Sequence, residues 1–180
     1  MRYTRTPLTS SQPFDLASVK AYARIDFNDD DATLTTMAET AAAEIEAACD
    51  IALLLQTITT TTDLWPGCVI SLPVGPVADG ATVTVSVIEA DGSLTPVTSG
   101  WWLEAGRYPR LHFTGTPGAR LRIVYPAGYG TTASAIPADL TTALHDQAAR
   151  LYDTRHNPDL ASGIAAGAAR IIARHRRVKA

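Results

Sequence analysis

The hydrophobic pattern of this chain changes its period twice, and that change limits the fold more than any single motif does. Up to about residue 55 the apolar side chains recur every three or four positions. From residue 56 to 126 they alternate with polar ones, and from residue 137 onward the helical step returns. A helix shows one apolar stripe at a period of about 3.6 residues and a half-buried strand shows one apolar face at a period of about 2. Helix, strand and helix again, in three blocks, predict an α+β fold: a four-helix bundle interrupted by a small antiparallel β barrel or sandwich. At 180 residues the chain has room for one domain, or for one domain with a sizeable insertion.

The first block opens at Asp15, an acidic N-cap before Leu16, Val19 and Ala23. The cluster Asn28–Asp31 then starts a second helix, where carboxylates oppose the positive end of the helix dipole. Leu34, Met37, Ala38, Ala41, Ile45, Ala48 and Cys49 form its stripe. The cluster lacks the glycine and the closing glutamate of a calcium loop, so it reads as a cap. The β-branched run Thr57–Thr62 ends the helical block. Strands are expected at Val69–Leu72, Thr82–Ile88, Gly100–Leu103, Arg110–Phe113 and Arg120–Tyr125, with Asp91-Gly92 as a hairpin turn. Pro137 suits the first turn of a third helix carrying Leu140, Leu144, Ala148, Leu151 and Tyr152, and Pro158 breaks the run. A fourth helix is expected from Ser162 to about Arg176, with Ile164, Ala168, Ile171 and Ile172 on one side.

Chemistry is hard to find. No phosphate-binding glycine loop, dinucleotide fingerprint or nucleophile elbow occurs. His112, His145, His156 and His175 have no metal-site spacing, and Cys49 and Cys68 are too few for a disulfide framework or a cysteine zinc site. The expectation is a protein with no catalytic residues, cofactor or metal. The first residues lack the apolar stretch of a signal peptide, and no window is long and apolar enough to span a membrane. Trp101 and Trp102 are adjacent on a strand and therefore face opposite ways, so at most one is in the core and the other is exposed or at an interface. The formal charge is −3, but residues 141–180 hold seven bases and three acids. Their basic end, Arg170, Arg174, Arg176, Arg177 and Lys179, suits an acidic protein surface or nucleic-acid phosphates.

Several phrases, in order, resemble the head–tail connector (adaptor, or head-completion) proteins of tailed bacteriophages, in the longer subgroup with an inserted β domain. They are Lys20, Arg24-Ile25-Asp26 and the acidic cluster; Ile45-Glu46 and Gln56-Thr57; Leu72, Pro73, Pro76 and Val77; Tyr125 with Gly128-Tyr129-Gly130; and Pro137, Leu140, Tyr152 and Arg155. The resemblance covers residues 14–156. It implies a non-enzymatic virion protein at the head–tail junction of a phage or a gene transfer agent, made in the bacterial cytoplasm. About twelve copies would form a ring below the portal protein, passing double-stranded DNA toward a tail-side stopper or completion protein.

On that reading residues 1–55 carry the N-terminal helices, 56–126 the β module, 127–160 the third helix, and 161–180 a basic segment that docks on the portal. Ile164, Arg170, Ile171, Ile172, Arg174, Arg176, Arg177 and Lys179 are its candidate contacts. The segment is expected to be mobile until bound, because Gly163 and Gly167 weaken an isolated helix. A chain cut after Asp159 is expected to fold. Two other readings remain: a carbohydrate-binding or enzymatic β module using Trp101 or Trp102, and a DNA-binding protein acting through the basic C-terminus.

Overall fold

Asp15 opens the first helix, α1 (Leu16–Ala23), by accepting the Ser18 backbone N–H at 3.0 Å and the Ser18 hydroxyl at 2.7 Å. One of the unpaired donors of the first turn is thereby satisfied. Arg24 ends α1 in the left-handed region at φ 56°, and the Ile25 N–H reaches back to the Lys20 carbonyl at 3.0 Å. The second helix, α2 (Asp31–Cys49), closes the same way: Asp50 takes φ 54° and the Ile51 N–H meets the Glu46 carbonyl at 3.1 Å. Glycine usually fills this position, so a non-glycine residue there is under strain. At α2 the buried Ile51 that follows holds the turn in place.

The structure is a computed structural model that describes residues 1–63, 67–116, 120–156 and 163–177. Two further helices, α3 (Ala138–Thr154) and α4 (Ala166–His175), follow a short 3-10 turn at Ala133–Ala135. The chain divides into a helical unit, Ser11–Leu53 with Gly130–Ala180, and a β unit, Met1–Ser10 with Leu54–Tyr129. In the helical unit α2 packs on α3, and α1 and α4 pack on both. Leu34, Ala38, Ala41, Ala42, Ile45 and Cys49 are buried along α2, facing Leu140, Ala143, Leu144 and Ala148 of α3. The helices are 8, 19, 17 and 10 residues long. The unit is therefore a long pair flanked by two short helices, where the sequence had promised a bundle of four.

Among the described residues the β unit holds eight strands: β1 (Arg2–Pro7), β2 (Gln56–Thr62), β3 (Val69–Ser71), β4 (Thr84–Ile88), β5 (Leu94–Pro96), β6 (Trp101–Glu104), β7 (Arg110–Phe113) and β8 (Leu121–Ala127). They form a five-stranded sheet in the order β1-β2-β8-β4-β5 and a three-stranded sheet in the order β3-β7-β6, antiparallel throughout. Among the described residues neither sheet closes on itself, so the barrel alternative is corrected to two open sheets. The threonine run becomes β2, with Ile58, Thr60 and Thr62 buried in alternation. Its buried hydroxyls are paired: Thr60 donates to the Arg2 carbonyl at 3.1 Å and Thr62 accepts from the Leu121 N–H at 3.3 Å.

Strand β1 was not foreseen, since residues 1–55 were read as helical. It pairs with β2 from Arg2 opposite Thr61 to Pro7 opposite Gln56. Its side chains are nearly all exposed, so it carries no apolar alternation that a sequence pattern would reveal.

Three phrases of the sequence converge inside the β unit. Tyr125, the largest fully buried side chain among the described residues, has its hydroxyl 3.2 Å from the Val74 nitrogen and 3.1 Å from the Val74 carbonyl oxygen, which fixes the Leu72–Val77 segment. The Gly128 N–H donates to the Pro76 carbonyl at 2.9 Å. Gly128 itself sits at φ 137° against Leu54 and Leu55, where a Cβ would come within 2.7 Å of the Leu55 nitrogen. Gly128→Ala is therefore expected to destabilise the protein by about 2 kcal/mol or more, through both clash and φ strain. Gly80→Ala, at φ 74° with open space around it, is expected to cost about 1 kcal/mol. Thermal unfolding followed by circular dichroism ranks the two; an equal or reversed ranking would contradict the packing described.

Candidate functional site

Helix α4 begins without a capping side chain of its own, because Ala165 occupies the N-cap. Two neighbours on α3 supply what is missing. Asp146 Oδ2 accepts the Ala168 N–H at 2.9 Å, and Gln147 Oε1 accepts the Ala165 N–H at 2.6 Å. The Gln147 amide nitrogen donates to Glu44 Oε2 of α2 at 2.6 Å, so one fully buried side chain ties three helices together. Gly167 has to be small here, since a Cβ would stand 2.6 Å from Asp146 Oδ2. The Gly163-x-x-x-Gly167 spacing thus contains one glycine that admits a capping carboxylate.

The other end of α4 is held by Asp139. Its Oδ2 lies 2.6 Å from His175 Nε2 and 3.8 Å from Arg174 Nη2. Burial works to raise the Asp139 pKa, but the hydrogen bond and charge of His175, helped by the Leu140 N–H and Arg174, hold it below the ordinary carboxylate value.

This packing places the candidate docking residues unevenly. Ile171 and Ile172 are each only 6% exposed, and Cys49 lies against the Ile172 carbonyl. The apolar stripe assigned to a partner is thus covered by the chain's own α2 and α3. Ile164 is half-buried, Arg170, Arg174 and Arg176 are exposed, and Arg177 is half-buried. Lys179 and the linker at 157–162 lie outside the described residues. The expectation of a segment mobile until bound is corrected, because residues 166–175 form a helix anchored at both ends. The expectation that a chain cut after Asp159 folds intact loses its basis for the same reason. Ile164, Ala173, Arg176 and Arg177 line a groove of about 750 Å³ with Ala47, Ala48 and Asp50 at the C-terminal end of α2.

The Tyr152 and Arg155 positions form a clamp on the start of α2. The Tyr152 hydroxyl donates to Asp30, and Arg155 reaches the same carboxylate at 3.3 Å while its guanidinium lies 3.9 Å from the Tyr152 ring. The hydrogen bond to Asp30 raises the Tyr152 pKa. Lys20 binds Asn28 and Asp31, each at 2.6 Å. The acidic cluster is therefore internally neutralised at Asp30 and Asp31, whereas Asp26 and Asp29 are exposed. Arg24 is the left-handed end of α1, and Pro137 precedes α3 and lends its carbonyl to the Thr141 N–H. Gln56, Pro73, Pro76, Tyr125 and Gly128 belong to the β unit already described, Tyr129 is half-buried in that unit, and Gly130 packs on Ala135. Where their contacts are described, the motif residues hold structure together.

On the three-stranded sheet Trp102 is 54% exposed and stacks on His112 at 4.0 Å, and His112 binds Glu104 at 2.8 Å. Trp101 is half-buried and donates to the Val97 carbonyl at 2.8 Å. Among the described residues no three His, Cys, Asp or Glu side chains are placed to hold a metal ion.

No protein-family model matches the chain, and the curated proteins give no match. Solved structures do. A chain in the virion of a native gene transfer agent particle matches with a TM-score of 0.83 and 27% identity, over 100% of this chain and 97% of that one. A chain in the neck of an empty gene transfer agent particle, computed with C6 symmetry, matches at 0.81 and 28%. A chain in the neck of a native particle, computed with C12 symmetry, matches at 0.80 and 28%; both neck matches have the same coverage. The chain is similar to gene transfer agent neck chains over its whole length.

Two measurements test the anchoring of α4. Deleting residues 163–180 is expected to destabilise the helical unit strongly, since burying Ile171 and Ile172 contributes about 1.5–3 kcal/mol each; unchanged thermal unfolding would refute the packing. Asp139→Asn is expected to lower the urea midpoint at about pH 7. Because the folded pKa of Asp139 is lowered, its contribution is complete above the ordinary value of about 3.9 and is lost as pH falls through the lowered one. The gap between variant and wild type should therefore close below about pH 4.

Proposed function

We propose that this chain is a structural adaptor in the neck of a gene transfer agent or related phage-like particle. Twelve copies form a ring below the portal, extend the DNA channel and join head to tail. The whole-length likeness to a neck chain resolved with C12 symmetry carries this reading. The physical features agree with it. The chain is acidic overall, with a formal charge of −3, so passing DNA is repelled and does not stick to the channel wall. A head-to-tail contact repeated around an axis closes into a ring when the rotation per copy divides the circle.

Portal docking falls to the charged outer face of α4. Arg170 and Arg174 lie one turn apart and are exposed. With Ile171 and Ile172 turned inward, charge is what this face offers to an acidic portal surface. One exposed ion pair contributes only about 0–1 kcal/mol, but twelve repeats act together. The opposite side of the ring would meet the tail-side completion protein. The basic-tail DNA binder and the Trp102 sugar platform gain no comparable observation, since one face of Trp102 is already taken by His112.

The test is made in particle-producing cells whose own copy is deleted and replaced. Deletion is expected to leave filled heads without tails and to abolish DNA transfer. Wild-type replacement is expected to restore twelve copies per neck by imaging, and Arg170→Glu with Arg174→Glu to weaken incorporation. Normal tailed particles from the deletion strain, or restored particles lacking the chain at the neck, would overturn the reading.

A further inference from the structure

Two surfaces at opposite ends of α2 complement each other, and they cannot meet within one copy. At the C-terminal end lies the groove of about 750 Å³ between α2 and α4. Its lining combines the apolar Ala47, Ala48, Ile164, Ile172 and Ala173 with the basic Arg176 and Arg177 and one acid, Asp50, so its charged side chains are basic in balance. Arg176 is exposed and has no ion pair among the described residues. At the N-terminal end lies the α1–α2 loop, Ile25–Asp30. Phe27 is 47% exposed there, and Asp26 and Asp29 flank it, exposed and without an ion pair among the described residues. The adjacent Asp30 and Asp31 are held by Arg155 and Lys20, which stiffens the base of the loop.

An exposed aromatic between two carboxylates complements a groove that offers small apolar side chains and two arginines against one acid. α2 has 19 residues and is therefore about 28 Å long, which keeps the two surfaces apart in any one copy. The partner loop must come from another copy. A contact joining unlike ends of the same molecule is heterologous, the kind that builds rings.

We propose that, in the ring assigned above, the α1–α2 loop of each copy inserts Phe27 into the α2–α4 groove of the next, with Asp26 and Asp29 facing Arg176. The occupant of the groove is a second copy of this chain, and the proposal rests on the ring reading. Phe27 fills the space over the alanines and excludes water from the ion pairs, which strengthens them. Copies then assemble in one direction only, because loop meets loop with like charge, and so does groove with groove.

Charge exchange tests this in particles made with replaced copies. One variant carries Asp26→Lys and Asp29→Lys, and the other carries Ala173→Glu and Arg176→Glu. All four sites are exposed, and circular dichroism of the purified variants checks that they fold. Each variant alone is expected to lower tailed-particle yield by about tenfold or more, as like charges meet across the contact. Expressing both together is expected to restore the yield, since an alternating ring pairs every loop with an opposite groove and twelve is even. Normal yield from the single variants, or no rescue on mixing, would overturn the contact. Loss from the groove variant alone would show instead that the groove faces a different protein, and would overturn it as well. A second measurement does not depend on yield. In a Cys68→Ser background, which removes the exposed thiol, Asp29→Cys with Ala173→Cys should cross-link neighbouring copies into a multimer ladder. Necks that carry the ring but give no ladder would refute the contact and leave the ring reading intact. Wild-type particles without the chain would refute the ring reading itself.

Discussion

Gln147 has no access to water, and both ends of its amide are committed. The oxygen accepts the Ala165 N–H at the start of α4, and the nitrogen donates a hydrogen bond to Glu44. A buried amide left half-paired costs about 1–3 kcal/mol, so the three helices that share this residue keep one relative position or lose that much. The α4 groove, the inward turn of Ile171 and Ile172, and the outward turn of Arg170 and Arg174 all follow from that position. Asp146 beside it adds a negative charge where the helix dipole is positive, and Gly167 leaves the room it needs.

The consequence for recognition is a division of labour on one short helix. An amphipathic segment at a chain end looks like a free arm waiting for a partner. Here its apolar side completes the chain's own core, and its basic side remains outside. Any partner of α4 therefore meets a rigid, charged surface and pays no ordering entropy for it.

The three-block order of periods was legible in the sequence, and so were the Asp15 cap, the α2 stripe, the Asp91-Gly92 turn and most of the strands. These features are local: a cap needs one side chain and a stripe needs one helix. Strand β1 was illegible because it is an edge with both faces near solvent, so nothing in Arg2–Pro7 alternates. The anchoring of α4 was illegible because its caps come from residues about twenty positions upstream. The sequence offered Ser162 as a start, so nothing in the segment itself pointed to caps supplied by α3. The motif positions showed where the fold is pinned, at Tyr125, Gly128, Tyr152 and Arg155, more than where a partner binds.

One feature of the β unit reaches beyond stability. Gln56, its first strand residue after the helices, pairs directly with Ala127, its last strand residue before them. Opposed residues in an antiparallel pair stand about 5 Å apart. The strand pair thus closes on itself at the point where the chain leaves and rejoins, and everything between is a detour with a fixed mouth. Lengthening such a detour costs closure entropy only logarithmically. Evolution could therefore enlarge, trim or exchange the region between β2 and β8 as a cassette, with β2 kept as the partner of β1. The trait most open to change between particles of this kind is then what the cassette displays, such as the Trp102–His112 face, while the helices that would build the ring stay as they are.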